Sequence, residues 1–412
     1  MNALSFDAHK FETRPSDPRL AQCLQQFPPA VFSERLYQSI ELMERYSVEL
    51  AVDLSRQLNL ADQLDGWRSA DELCGALSFQ PRFKFALRWI LERLVESGCA
   101  QARNTGESRC YQLRDALWEP DLKALRAIGL SIDPANAATL DLLDHAASLY
   151  AAVATGRRDG DHNLFGPQGL PLWLNYFHND NLTYAVNNWV GAILAVDHVS
   201  THRTLRILEL GAGTGSASEI LLQLLAERDL LPRVERYRIT EPNAYFRRCN
   251  QRKLTAQYPN VPLEWAPLDL DLPLKSQGIA SKEFDLVYAV NVMHISKNLL
   301  FSLSEAGSAL AADGWLVIGE CVRPYDNQPI YPELMFQILD SFTNVETDPE
   351  VRPNPGFLTA EQWRRAFSRA GFTHTKVAPD IDRIREIYPH FFTGAISGQN
   401  IGTANDPASS RD

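Results

Sequence analysis

The spacing of apolar residues in the first part of the chain is helical. Residues 30–65 carry apolar side chains at this spacing and predict two helices. Ser69 is a candidate N-cap for a short helix, and Pro81 precedes a longer helix over residues 82–97 that ends at Gly98. The first hundred residues are therefore expected to be mainly helical.

Two strand-like segments follow, at residues 99–103 and 109–113, joined by a turn-rich loop. Helix, helix and hairpin in this order predict a winged-helix-like domain. Residues 70–115 carry seven Arg and Lys against six Asp and Glu, so they offer no basic recognition face for DNA. Dimerisation or covering of a substrate is the expected role.

The segment from residue 121 to 200 is again helical in pattern, with a predicted loop from Gly156 to Pro171. Residues 172–178 and Trp189 are unusually aromatic. Such side chains mostly form core, and here a pocket roof is the alternative, because these helices lead into a Gly-rich segment.

From Leu205 onward, apolar strand-like runs alternate with helical ones. Strands of this kind separated by helices predict a parallel sheet with helices on both faces, which is a doubly wound, Rossmann-like α/β fold. Two last strands, around residues 375–378 and 391–396, are expected to close the sheet edge as a hairpin.

We divide the 412 residues into four predicted parts. These are an N-terminal helical, winged-helix-like dimerisation domain (1–120), a connecting and substrate-covering segment (121–203), the α/β domain (204–397) and a disordered tail (398–412).

Composition and charge narrow the classes of partner. The formal charge of −11 disfavours nucleic acid and leaves a small molecule as the expected partner. No apolar run is long enough to span a membrane, and residues 1–19 lack the apolar stretch of a secretory signal. Six scattered cysteines fit reduced thiols, so we expect a cytoplasmic protein.

The candidate chemistry lies at the carboxyl ends of the predicted strands. Gly211, Gly213 and Gly215 follow the first strand, and Glu209 precedes them. A carboxylate at this place suits a cationic amino-acid group better than a pyrophosphate. Glu241 ends the second strand and is placed to accept from ribose hydroxyls, while Asp269 follows the third and is placed to bind an adenine amine. Together these residues predict a site for S-adenosylmethionine.

The α/β half resembles class I S-adenosylmethionine-dependent methyltransferases, and within them the C-methyltransferase domains of polyketide synthases. The segments that carry the resemblance are residues 207–215, 237–242, 268–271 with 277–278, 284–294, 312–320 and 356–372. The resemblance implies enzymatic methyl transfer in secondary metabolite biosynthesis. It places the cofactor on Glu209, Gly211, Ala212, Gly213, Gly215, Glu241, Asp269, Leu270 and Asn291.

The same resemblance implies a catalytic dyad of His294 and Glu320. Histidine titrates near neutral pH, and a carboxylate on one ring nitrogen fixes the tautomer and raises the basicity of the other. His294 is thus expected to remove a proton from a carbon beside a carbonyl, in an α-keto acid or a polyketide-like intermediate, and the resulting enolate to attack the methyl group.

Two alternatives stay open. The N-terminal half resembles the winged-helix dimerisation domain of small-molecule O-methyltransferases, which implies a homodimer and leaves methylation of a hydroxyl or carboxylate as a second function. Residues 295–298 depart from the Asp-Trp that usually follows the histidine in those enzymes, which favours carbon. A non-catalytic, cofactor-sensing regulator is the third hypothesis. No pair of histidines at ligand spacing lies near His294, so no metal is expected.

Overall fold

A computed structural model describes residues 17–21, 24–29, 31–106, 108–199 and 203–400. Within these residues a mainly helical first part carries a small sheet of three strands, and the second part carries a sheet of eight. No helix among them is both long and apolar enough to cross a bilayer.

The described residues of the first part contain four α-helices and three short strands. They are α1 (Pro18–Ala21), α2 (Glu34–Gln57), β1 (Arg68–Ser69), α3 (Ala70–Ala76), α4 (Lys84–Glu96), β2 (Ala100–Thr105) and β3 (Ser108–Leu113). Residues 30–65, predicted as two helices, contain a short 3-10 helix at Ala61–Gln63 and one long α-helix of 24 residues, α2. Ser33 caps it, and no Gly or Pro interrupts its sequence.

The predicted order of helix, helix and hairpin is present. Ser69 and Glu72 form a reciprocal capping box at the start of α3, and Gly98 follows α4 with a φ of +83°. β2 and β3 pair antiparallel, and β1 adds to the other edge of β3. The assignment of this region as a winged helix stays a prediction.

Five helices connect the two parts of the chain. They are α5 (Leu122–Ile132), α6 (Asn136–Ala154), α7 (Gly160–Leu164), α8 (Leu170–Tyr176) and α9 (Leu182–Asp197). The loop predicted over residues 156–171 is partly wrong, because Asp159 caps the short helix α7 within it. Trp173 on α8 is fully buried, with its ring near those of Phe177 and Phe336.

The second part alternates strands with helices as predicted. Its strands are β4 (Leu205–Leu210), β5 (Val234–Thr240), β6 (Leu263–Ala266), β7 (Phe284–Val290), β8 (Leu310–Arg323), β9 (Leu358–Thr359), β10 (Phe372–Ala378) and β11 (Thr393–Asn400). Its helices are α10 (Ser216–Glu227), α11 (Ala244–Gln257), α12 (Leu299–Ala309), α13 (Glu333–Phe336), α14 (Asp340–Thr343), α15 (Ala360–Arg369) and α16 (Ile381–Arg385).

The large sheet has the order β10-β11-β8-β7-β4-β5-β6, and β9 pairs with β8 beyond that path. The pairs from β8 to β6 are parallel, so the carboxyl ends of β4, β5, β7 and β8 meet at one edge. The predicted doubly wound α/β class is confirmed.

The last two strands form the predicted hairpin at the other edge, with β11 antiparallel to both β10 and β8. The prediction that the disordered tail begins at residue 398 is wrong for residues 398–400, because β11 continues to Asn400 and Gln399 pairs with Trp315. The remainder of that predicted tail, residues 401–412, lies outside the described residues.

The helices of the first part are bonded to the α/β part. Glu44 on α2 accepts a hydrogen bond from the backbone N–H of Tyr331 at 3.0 Å and pairs with the fully buried Arg93 of α4 at 2.5 Å. His390 contacts Glu41 at 2.5 Å. These contacts cross the predicted boundaries, which stay predictions.

Candidate active site

The Gly-rich turn connects β4 to α10. Gly211, Gly213 and Gly215 have φ angles of 64°, 54° and 87°, a region that residues with a Cβ avoid. A Cβ on Gly211 would lie 2.4 Å from Cγ2 of Val292, whereas one on Gly213 would meet nothing within 4 Å. The turn is therefore packed against the segment after β7 at Gly211 and open at Gly213. Ala212 between them donates to the carbonyl of Thr240 at 2.9 Å.

Glu209 is almost completely buried at the end of β4, with 1% of its surface exposed. Its Oε2 accepts from the hydroxyls of Tyr237 at 2.5 Å and Ser218 at 2.7 Å. Its Oε1 has no hydrogen-bond partner among the described residues. Burial raises the pKa of Glu209 to about 7, although both hydroxyls oppose the shift.

Glu241 lies at the end of β5 and reaches the Gly-rich turn. Its Oε2 accepts from the backbone N–H of Gly213 at 2.9 Å and its Oε1 from that of Asn243 at 2.8 Å. Burial raises the pKa of this carboxyl, and the two N–H groups counter the shift. Each oxygen keeps a free lone pair, so ribose hydroxyls can still donate to the carboxylate.

Asp269 and Leu270 follow β6 at the same edge of the sheet. Asp269 is exposed, and its Oδ1 accepts from the N–H of Asp271 at 2.9 Å. The carbonyl of Leu270 accepts from Ser302 at 3.0 Å. Among the described residues neither side chain bonds to the Gly-rich turn, and the Asp269 carboxylate stabilises its own turn beside a cavity also lined by Pro242.

Asn291 follows β7 and has a φ of +51°. Its N–H donates to the carbonyl of Gly319 at 2.8 Å, and its Oδ1 accepts from the Cys321 thiol at 3.7 Å. That thiol also accepts from Asn187 of α9 at 3.6 Å. Asn291 thus joins the ends of β7 and β8 to α9.

His294 and Glu320 form a buried pair at the ends of β7 and β8. The imidazole Nδ1 lies 2.7 Å from Glu320 Oε2, and the residues are 2% and 0% exposed. Glu320 Oε1 accepts from the backbone N–H groups of Met293 at 2.9 Å and His294 at 3.3 Å. With Nδ1 donating to the carboxylate, Nε2 carries the lone pair of a base, and it has no hydrogen-bond partner among the described residues.

Aromatic rings surround the imidazole of His294. Ring centroids of Phe357, Phe342 and Phe336 lie 4.4, 5.8 and 6.4 Å from it. These rings exclude water from the imidazole, which strengthens its interaction with Glu320.

Several residues that shape this site were missed by the sequence analysis. Tyr237 and Ser218 hold Glu209, and Arg352 donates to the carbonyl groups around His294. Arg352 lies 58 residues from His294 in sequence, within no motif, so spacing carried no signal for it.

The donor set at the Gly-rich turn fits S-adenosylmethionine. The unpartnered buried Glu209 Oε1 suits an ammonium group, and the open space at Gly213 admits a ligand against the backbone. No group of three or more His, Cys, Asp or Glu side chains arranged to hold a metal occurs in the described part of the chain.

Comparisons with known proteins agree with this geometry. A methyltransferase domain family matches residues 208–316. An iterative polyketide synthase, afoE, from Emericella nidulans is 31% identical over 252 residues, which are 60% of this chain and 8% of the synthase. The chain thus spans less than a tenth of the length of that relative.

The solved structure of the CurJ carbon methyltransferase is 26% identical and has a TM-score of 0.73 over 93% of this chain and 96% of that one. The chain resembles class I S-adenosylmethionine-dependent methyltransferases over nearly its whole length, and residues 208–316 match a methyltransferase domain. S-adenosylmethionine is accordingly the cofactor of this methyltransferase, and the resemblance of its catalytic half to polyketide synthase C-methyltransferase domains is confirmed.

An O-methyltransferase family 2 protein from Planctomyces limnophilus is 16% identical and has a TM-score of 0.50 over 90% of this chain and 97% of that one. This likeness concerns the fold alone. Because the match to the carbon methyltransferase also covers nearly the whole chain, the N-terminal half of this methyltransferase does not by itself favour an oxygen acceptor.

Proposed function

We propose that this methyltransferase methylates an acidic carbon next to a carbonyl, with His294 as the base and Glu320 as its partner. One observation carries the proposal. His294 Nδ1 is held 2.7 Å from a fully buried carboxylate, which directs the basic Nε2 away from that carboxylate. The similarity to the CurJ carbon methyltransferase supports the same acceptor atom.

In the proposed reaction, Nε2 of His294 takes a proton from the acceptor carbon, and the electron pair of the C–H bond passes into the carbonyl as an enolate. S-adenosylmethionine, held at the Gly-rich turn, would supply an electrophilic methyl group to the enolate carbon and would leave as S-adenosylhomocysteine. Glu320 stabilises the imidazolium, which loses its proton to solvent once the product has left the site.

We further propose that the cofactor is held by the residues at the carboxyl edge of the sheet. Glu209 is proposed to pair with its ammonium group, Glu241 to accept from the ribose and Asp269 to bind the adenine. The remaining contacts to the cofactor are proposed to come from Ala212, Leu270, Asn291 and the three glycines of the turn.

The surroundings of His294 support a neutral acyl acceptor over a free α-keto acid. The rings of Phe336, Phe342 and Phe357 offer apolar surface, and the donors of Arg352 serve backbone carbonyls. The carboxylate of a keto acid would thus lack a partner at this turn. The relatives named as polyketide synthases support a polyketide-like acyl group, and we propose a homodimer through the N-terminal region.

Two variants test the role of the dyad. His294→Ala removes the base. Glu320→Gln keeps an acceptor for the backbone N–H groups, but its amide donates to Nδ1 and so puts the ring proton on Nε2. Each variant is expected to lose about 10²-fold or more of kcat, the usual contribution of a general base.

The measurements are turnover with labelled S-adenosylmethionine and calorimetric binding of S-adenosylhomocysteine. Both variants should bind S-adenosylhomocysteine within about threefold of wild type, since the dyad lies outside the proposed cofactor contacts. Wild-type turnover by His294→Ala would disprove the assignment of the base.

A further inference from the structure

We propose that Arg352 is a positioning residue that fixes the orientation of the base His294. The inference rests on the proposed function, because it assigns Arg352 a role through that base and not through contact with substrate. Arg352 precedes α15 and β9 in sequence and belongs to the segment between α14 and β9.

The guanidinium of Arg352 donates to three carbonyls of the turn that carries His294. Its Nη1 donates to the carbonyls of His294 at 3.3 Å and Ser296 at 2.9 Å, and its Nη2 donates to that of Lys297 at 2.8 Å. Its Nε donates to the carbonyl of Glu346 at 3.0 Å. Four of the five N–H bonds of the guanidinium are therefore used on backbone oxygens.

The backbone of this turn is bonded by two side chains of opposite charge, the carboxylate of Glu320 at its N–H groups and the guanidinium of Arg352 at its carbonyls. Both residues are buried, at 0% and 1% exposure, so their interactions with the backbone dipoles are little screened. The backbone of His294 is thus bonded on both sides, which fixes the position and direction from which its ring reaches Glu320.

Arg352 is itself held in place by a tight bridge. The N–H of Arg352 and that of Asp348 each donate to the other residue's carbonyl at 2.9 Å, and the Asp348 carboxylate accepts from Arg369 at 2.8 Å. Among the described residues Arg352 forms no ion pair within 4.0 Å. Burial lowers the pKa of Arg352 to about 10, and the nearby carboxylates of Glu346 and Asp271 oppose that shift.

The test separates proton abstraction from methyl transfer. In D2O without S-adenosylmethionine, the base should exchange the α-protons of acetoacetyl-N-acetylcysteamine, a neutral β-ketoacyl thioester, faster than buffer does. Arg352→Lys keeps the charge but loses the fork that reaches several carbonyls, and Arg352→Met loses both. We expect kcat and the exchange rate to fall together by about 10²-fold, the effect of a misplacement of about 1 Å.

Arg385→Lys is the control, because Arg385 is largely buried, with 12% of its side chain exposed, and also donates to backbone carbonyls, those of Phe391 and Val322. Rates are expressed per folded molecule, counted by the stoichiometry of S-adenosylhomocysteine binding. The control should lose melting temperature without a comparable loss of exchange rate.

The outcomes separate the two proposals. Exchange by wild type that is absent in His294→Ala supports the base, and its absence in wild type contradicts the proposed function. If wild type exchanges protons and both Arg352 variants match it per folded molecule, the role of Arg352 is wrong. Equal losses in Arg352→Lys and Arg385→Lys would likewise reduce Arg352 to a structural arginine and overturn the inference.

Discussion

Acidification should weaken cofactor binding, because the Glu209 carboxylate, which is proposed to pair with the ammonium group, is protonated as the pH falls through about 7. Burial raises the pKa of Glu209 to about 7, and its unpartnered Oε1 is available to the cation. The ammonium stabilises the ionised form, so binding should release a proton whenever the free enzyme holds Glu209 protonated.

The size of the effect follows from the pKa of about 7. If only the ionised form pairs with the cation, the competent fraction falls about 25-fold between pH 7.5 and pH 5.5. This factor corresponds to about 1.9 kcal/mol of binding free energy.

Calorimetric titration with S-adenosylhomocysteine at several pH values measures this loss, and titration in buffers of different ionisation enthalpy counts the proton. Glu209→Gln should bind weakly with little pH dependence. Glu241→Gln, the comparison variant, should bind more weakly but keep a transition near pH 7. A flat profile in wild type, or an unchanged transition in Glu209→Gln, would refute the assignment of Glu209.

Three further predictions concern the Gly-rich turn, the contacts of His390 with the N-terminal helices, and the proposed homodimer. Gly213→Ala should fold with a cost of about 1–2 kcal/mol for its positive φ but bind S-adenosylhomocysteine at least tenfold more weakly. Gly211→Ala should show a larger drop in melting temperature, because its added Cβ meets Val292. Equal melting temperatures of the two variants would contradict this prediction. Burial alone would lower the pKa of His390, but hydrogen bonds to Glu41 and Glu96 raise it to about 10. The imidazolium therefore stabilises the fold at neutral pH and its contribution is lost as the pH rises through about 10, so His390→Gln should cost about 1–2 kcal/mol at pH 7, after screening, and thermal melts should converge with wild type toward pH 10. Light scattering at micromolar concentration should give the mass of a homodimer, and a monomer would contradict the proposed assembly.

The sheet could be predicted from the sequence because its strands are apolar on both faces and alternate with helices. The end of β11 could not, since Ser397, Gly398 and Gln399 have the composition of a tail. Pairing with the fully formed strand β8 outweighs that weak local preference. Likewise the length of α2 as one helix reflects its tertiary packing, since its buried residues run from Leu36 to Ser55.

The candidate site was predictable as far as the ends of the parallel strands, because those ends must meet at one edge of the sheet. Its internal contacts were not. Glu209 is held by side chains from β5 and α10, and the carboxylate of Asp269 supports its own turn. Such contacts depend on the orientation of side chains on different strands and helices, which cannot be derived from residue spacing along the chain.

The nature of the acceptor atom is tested most directly by the structure of the product. Wild-type enzyme is incubated with S-adenosylmethionine carrying a 13C-labelled methyl group and acetoacetyl-N-acetylcysteamine, and the product is analysed by 13C NMR. Our account predicts a labelled methyl group bonded to the α-carbon, with a carbon–proton pattern of C–CH3 that is absent with His294→Ala. A labelled O–CH3 signal from the enol oxygen would contradict it.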